Sequence, residues 1–199
     1  ATSRRLQVEK GDIDIAWELF PDQVKALQGN QDLNIQKFPG TTIYYMGINV
    51  KAGPLADPRV RKAIRYAIDY DGIINNIMGG AAKQINTFIP EGFAGYTSKI
   101  YYRQDLNKAK ELLKAAGFEN GFEIEMDTGD QTPNPELAQS VQNSLRKIGV
   151  TVKINTLVSA QLWPKYRAQK HDMIMARWGP DYNDPHTNAQ PFTDYTARQ

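Results

Sequence analysis

Apolar and polar positions alternate with clear periods along most of the chain. Leu6 and Val8 stand among charged residues in what reads as an opening helix. Gly11 to Ala16 alternates polar and apolar after a glycine and predicts a short strand. Pro21 to Leu27 predicts a short helix with proline in its first turn and Gly29 as its stop. Leu33 to Phe38 and Ile43 to Ile48 predict two more strands, separated by a Pro39-Gly40 turn. The strongest helix follows. Asp57 is the candidate N-cap, Pro58 sits where its missing N–H costs nothing, and Val60, Ala63, Ile64, Ala67 and Ile68 form one apolar stripe. A second helix starts at Asp71, carries Ile73, Ile74, Ile77 and Met78, and ends at Gly79-Gly80.

Residues 81–104 are irregular and rich in glycine, proline and aromatics. Asn107 or Asp105 then caps a helix with Ala109, Leu112, Leu113 and Ala116 inward, and Gly117-Phe118 fits a Schellman stop. The remaining third alternates strands and helices. Phe122, Ile124 and Met126 alternate with Glu123, Glu125 and Asp127 as a strand, and Leu137, Val141, Leu145 and Ile148 mark a helix ended by Gly149. Val150, Val152 and Ile154 predict a strand, Ser159 caps a helix through Leu162, Trp163 and Tyr166, and Met173 to Ala176 is an apolar strand. Strands separated by helices imply βαβ crossovers and a largely parallel sheet, an α/β fold.

Composition narrows the function classes. The 199 residues are 41% hydrophobic and 23% charged, which is ordinary for a globular chain. Cysteine is absent, which rules out disulfides, thiolate metal sites and a cysteine nucleophile. A formal charge of +2 is too weak to argue for nucleic acid. The densest cations, Arg59, Arg61, Lys62 and Arg65, alternate with Val60, Ala63 and Ile64 and read as the solvated face of a helix. No glycine pattern suits a nucleotide, no nucleophile and base set is present, and no cofactor is implied.

Several segments together resemble a known family. They are Gly11-Asp12-Ile13-Asp14, Tyr45-Met46-Gly47-Ile48-Asn49, the run from Pro54 to Ile64, Ala67-Ile68-Asp69, Ile89-Pro90-Glu91-Gly92, Ala109 to Gly117, and Trp178-Gly179-Pro180-Asp181-Tyr182-Asn183-Asp184-Pro185. In this order they are similar to the oligopeptide-, dipeptide- and nickel-type (family 5) extracytoplasmic solute-binding proteins of ABC importers. The resemblance covers roughly residues 8–195. It implies a lobe of the type II periplasmic-binding-protein fold, a mixed and mostly parallel sheet flanked by helices, within a longer two-lobed protein. Residues 1–40 would form a hinge-proximal edge of the first lobe. Residues 41–199 would form the second ligand-binding lobe, truncated at its C-terminal end. The chain ends soon after the motif, a few residues past Phe192-Thr193-Asp194-Tyr195, so the expectation is an exposed surface that packs on something else.

What the resemblance implies is binding, without catalysis, of an oligopeptide or similar small solute in a cleft. The partners would be the transmembrane permease subunits of the importer, the location periplasmic or otherwise extracytoplasmic with a lipid anchor as one form, and the state monomeric. Asp181 matches the family aspartate that takes a peptide ammonium, and Trp178 is expected to line the same cleft. Tyr182 and Arg177 are further candidates, the arginine for a ligand carboxylate. Trp163 is either a cleft residue or a core residue spaced with Tyr166. Read alone, Asp181 to Pro185 is a turn after a strand. Two other solute classes, nickel chelates and oligosaccharides, suit the same fold. An enzyme reading remains as well, a metal-assisted hydrolase built on Asp181, Asp184 and His186.

Overall fold

The computed structural model describes residues 2–38 and 40–193. Pro39 of the expected turn, and Asp194 and Tyr195 at the end, lie outside the described residues. Helices α1 (Thr2–Lys10) and α2 (Pro21–Leu27) come first, the second as predicted. The expected strands at 11–16 and 33–38 do not form, and both segments run as irregular chain. Alternation gives a strand two faces, but a strand also needs an edge to pair with. Neither segment has one among the described residues. Ile15, Trp17 and Phe38 are instead 79%, 68% and 78% exposed.

Strand β1 (Ile43–Ile48) leads through a 3-10 turn to α3 (Pro58–Ala67). The Asp57 carboxylate accepts the Arg59 N–H at 2.7 Å, which satisfies one orphan donor of that helix. Val60, Ala63, Ile64 and Ala67 are fully buried, and each larger aliphatic contributes roughly 1.5–3 kcal/mol. The next helix, α4 (Tyr70–Gly72), widens into a π turn over Ile73–Ile77. Its cap is Asp69, whose carboxylate accepts the Gly72 N–H at 2.9 Å, so the helix starts at Tyr70, one residue before the expected Asp71. Gly79 at φ +54 and Gly80 at φ +74 close it.

Asp105 caps α5 (Leu106–Ala115), and Phe118 N–H bonds back to Leu113 O at 2.9 Å in the predicted stop. Then come β2 (Phe122–Gly129), α6 (Asn134–Arg146), β3 (Val150–Leu157), α7 (Ser159–Arg167), β4 (Met173–Trp178) and α8 (His186–Thr193). Val158, with no side-chain cap bond, is the N-cap of α7, so Ser159 is the first helical residue and does not cap it.

The sheet runs in the order β1-β4-β2-β3. β2 pairs in parallel with both β3 and β4, and β1 lies antiparallel to β4 with Ile43 opposite Trp178. One face carries Ile124, Met126, Val152, Met173 and Met175 and packs under α3, α5 and α6. The other carries Ile174 and Ala176, which meet Leu162 of α7 with Tyr45, Trp163 and Tyr166 at the margin. The result is a mixed, mostly parallel sheet between helices, largely parallel as the alternating pattern implied and mixed as the resemblance implied.

Candidate functional site

The parallel strands all end on one edge, at Gly129, Leu157 and Trp178, and β1 begins there at Ile43. In open α/β sheets the crevice beyond the carboxyl ends is where ligands bind. A cleft of about 380 Å³ lies at this edge. Trp163 and Arg167 reach it from α7, Arg177 and Trp178 from the end of β4, and Thr42 from just before β1. Gly179 lines it just after β4, and Glu18 reaches it from the irregular segment after α1.

Three of the expected residues, Trp163, Arg177 and Trp178, therefore meet at one cleft. Asp181 and Tyr182 stand exposed just beyond it, in the bend after β4. The Asp181 backbone is fixed, because its N–H donates to the buried Thr187 hydroxyl at 3.1 Å. Asp184 Oδ1 accepts the His186 N–H at 2.8 Å, and the Tyr182 hydroxyl and His186 Nδ1 share a hydrogen bond of 2.7 Å. Asp184 and His186 are thus engaged in holding the start of α8. Among the described residues no group of three or more His, Asp or Glu side chains is gathered to hold a metal ion.

Helix α8 ties the motif to the irregular region before α5. Asn188 is fully buried and donates to Phe88 O at 2.8 Å. Phe192 packs edge-on against Tyr45 at 5.0 Å and Trp178 at 6.1 Å and stacks on Phe88 at 5.9 Å. Trp178 is held from behind by this aromatic group, and a rigid aromatic wall offers contact area at little entropic cost.

Trp163 is held by a different device. It packs edge-on against Tyr166 at 5.9 Å. Two residues on, Lys165 Nζ reaches the Asp127 carboxylate at 2.7 Å. Asp127 is 2% exposed, on the α7 face of β2, and also accepts from Asn155 Nδ2 at 3.2 Å. Burial pushes the Tyr45 phenol well above its ordinary value, and the neighbouring Tyr166 adds to the shift. His171 stacks near Tyr166 at 5.2 Å, and burial lowers its pKa below the ordinary 6.5, outweighing the opposite pull of Asp127.

Sequence reasoning missed Glu18, Thr42 and Arg167. Arg167 follows Trp163 by four residues, so helical spacing alone puts both on one face. Nothing in the pattern points to Glu18.

Comparison with known proteins decides the family. The model of bacterial extracellular solute-binding proteins, family 5 (middle portion), matches residues 1–199. The chain belongs to this family. Its members are extracellular solute-binding proteins and not enzymes, and the observed sheet is a lobe of their type II fold. The Escherichia coli (strain K12) protein named "Probable D,D-dipeptide-binding periplasmic protein DdpA" is 34% identical over 188 residues, 94% of this chain and 36% of that protein. The "Dipeptide-binding protein" of the same organism is 31% identical over 93% of this chain and 36% of its own length. A solved structure of periplasmic DppA from Helicobacter pylori, in complex with peptide STSA, superposes with a TM-score of 0.85 at 32% identity, over 94% of this chain and 37% of that one. The chain thus spans about a third of the length of the relatives it matches.

Proposed function

We propose that this chain is one wall of a peptide-binding cleft in the solute receptor of an ABC importer. The observation that carries the reading is the cleft at the carboxyl edge of the sheet, flanked by Trp163 and Trp178, in a chain of the family 5 fold. The relatives named for dipeptides, and the one solved with a bound peptide, favour a peptide among the solutes of this fold. Residues 1–40 form an edge of the opposite lobe and residues 41–199 the lobe described. Closure of the two lobes presents a surface that the transmembrane permease subunits recognise.

An extended peptide pairs its own N–H and C=O groups as an added strand does, so its side chains need little recognition. Asp181 receives the ligand ammonium. It is exposed on the open lobe and becomes desolvated when the opposite lobe closes over it. Trp178 and Trp163 supply apolar walls, Tyr182 borders the ammonium site, and Arg177 faces a ligand carboxylate.

The test uses the complete two-lobed protein and titration calorimetry with small peptides. Asp181→Ala is expected to weaken binding by roughly 2–5 kcal/mol, the usual loss when one member of a desolvated charge pair is removed. Peptide affinity unchanged by that substitution removes the anchor role. Stoichiometric binding of a nickel chelate or an oligosaccharide, with none of any peptide, removes the peptide reading.

A further inference from the structure

The cleft carries two guanidiniums, where one bidentate fork is enough to hold a single ligand carboxylate. Arg167 ends α7 and Arg177 lies near the end of β4, and both line the same 380 Å³ space as the two tryptophans. Among the described residues six ion pairs form, and neither guanidinium takes part in one. The cleft's acidic lining residue, Glu18, leaves an excess of one positive charge over the lining. Glu18 is also held at φ +52, a left-handed backbone that a non-glycine residue adopts at a cost. Its carbonyl accepts from Arg4 Nη2 at 3.5 Å, which fixes the segment there.

Arginine is the side chain suited to this task. Its planar fork donates two parallel N–H bonds to one carboxylate, and its charge does not titrate in the ordinary range. It also tolerates a neighbouring aromatic face, which Trp163 and Trp178 provide on this wall. A zwitterionic peptide with neutral side chains brings one carboxylate. Two unpaired guanidiniums on one wall fit a ligand that brings a second.

We propose that Arg167 and Arg177 form a subsite for an acidic side chain, so that this receptor selects peptides carrying glutamate or aspartate over neutral or basic ones. The inference rests on the peptide-binding reading above and assigns its ligand class. Arg167 becomes a specificity residue, and the guanidiniums are positioned by the sheet edge and by the helix that the Asp127–Lys165 pair anchors.

The experiment is calorimetry on the complete two-lobed protein with three tripeptides, alanine at both ends and glutamate, glutamine or lysine in the middle. Each is used with an amidated C-terminus, which removes the terminal carboxylate, and again with a free one. The glutamate amide is expected to bind roughly 10-fold to 100-fold more tightly than the glutamine amide, the worth of one or two charge-assisted bonds. Arg167→Gln and Arg177→Gln are each expected to shrink that ratio, and together to bring it close to one. Because the readout is a ratio within each variant, a general loss of affinity or stability does not imitate it. Equal binding of the glutamate and glutamine peptides overturns the acidic subsite and leaves the peptide reading standing. So does a preference that survives both substitutions, or one that appears only with a free C-terminus. Failure of every tripeptide, amidated or free, to bind overturns both readings at once.

Discussion

Replacing Lys165 by methionine tests what holds helix α7, and with it Trp163, on the sheet. The wild-type pair is asymmetric, since the Asp127 side chain is 2% exposed and that of Lys165 is 30% exposed, at 2.7 Å. Lys165→Met keeps most of the stem packing but leaves a carboxylate buried with Asn155 as its remaining side-chain donor. Breaking a buried pair in this way costs about 3–5 kcal/mol. Asp127→Asn leaves the other partner behind, and that ammonium already reaches water. Its loss is accordingly nearer 1.5–3 kcal/mol, roughly the range of a hydrogen bond to a charged group. The expected order is thus a large loss for the lysine change and a smaller one for the aspartate change. The double variant should recover part of the lysine loss, because the orphaned charge is gone. Urea denaturation of the three variants and the parent measures these differences, with the slope of the transition checked for constancy. Equal losses from the two single changes, or a lysine loss below about 1 kcal/mol, would refute the view that burial of Asp127 dominates this contact.

Two other outcomes follow from local structure. His171 has its pKa lowered in the folded state, so the folded chain binds its proton less readily than the unfolded chain does. Its contribution to stability is therefore intact above the ordinary histidine pKa of 6.5 and declines as pH falls below it, with Asp127, Lys165 and Asp172 as the charges around it. Urea midpoints at pH 7.5 and about pH 5.5 should differ less in His171→Gln than in the parent. Gly121 sits at φ +77 against the Gly149 carbonyl, where a Cβ would collide with backbone. Gly121→Ala is expected to cost roughly 1–3 kcal/mol and to lower the Tm, and an unchanged Tm would show that the β2 and β3 starts can move apart.

Much of the fold was legible because its strongest elements follow one rule each. The stripe from Val60 to Ala67, its Asp57 cap and the Gly117-Phe118 stop are local features and appear where the pattern puts them. Strand β1 was read to the residue. Partnership was not legible. The segments at 11–16 and 33–38 alternate like strands, yet pairing depends on what lies alongside. Helix α8 was missed, since its polar sequence with Pro191 inside carries no apolar stripe and is held by Asn188 and by the caps before it. At the site, the motif located Trp178, with Arg177 just before it, and helical spacing could have supplied Arg167 from Trp163. Asp127 read as the wet side of an alternating strand, because nothing in its own sequence announces that α7 covers that face. Glu18 arrives from irregular chain, where no period exists to be read.

Strand β4 occupies an inner place in the sheet, although it is the last of the four to be synthesised. Until residues 173–178 leave the ribosome, β1 has no neighbour among the described strands and β2 keeps one unsatisfied side, so a slot between them stays open. The contact that fills it joins Ile43 to Trp178, which ranks among the longest loops this chain has to close. Nascent lobes of this kind present two bare strand edges at once, a natural target for holding chaperones and for mispairing between neighbouring chains. The aromatic wall of the cleft is set by the same late event, so the ligand surface and the sheet are completed in one step.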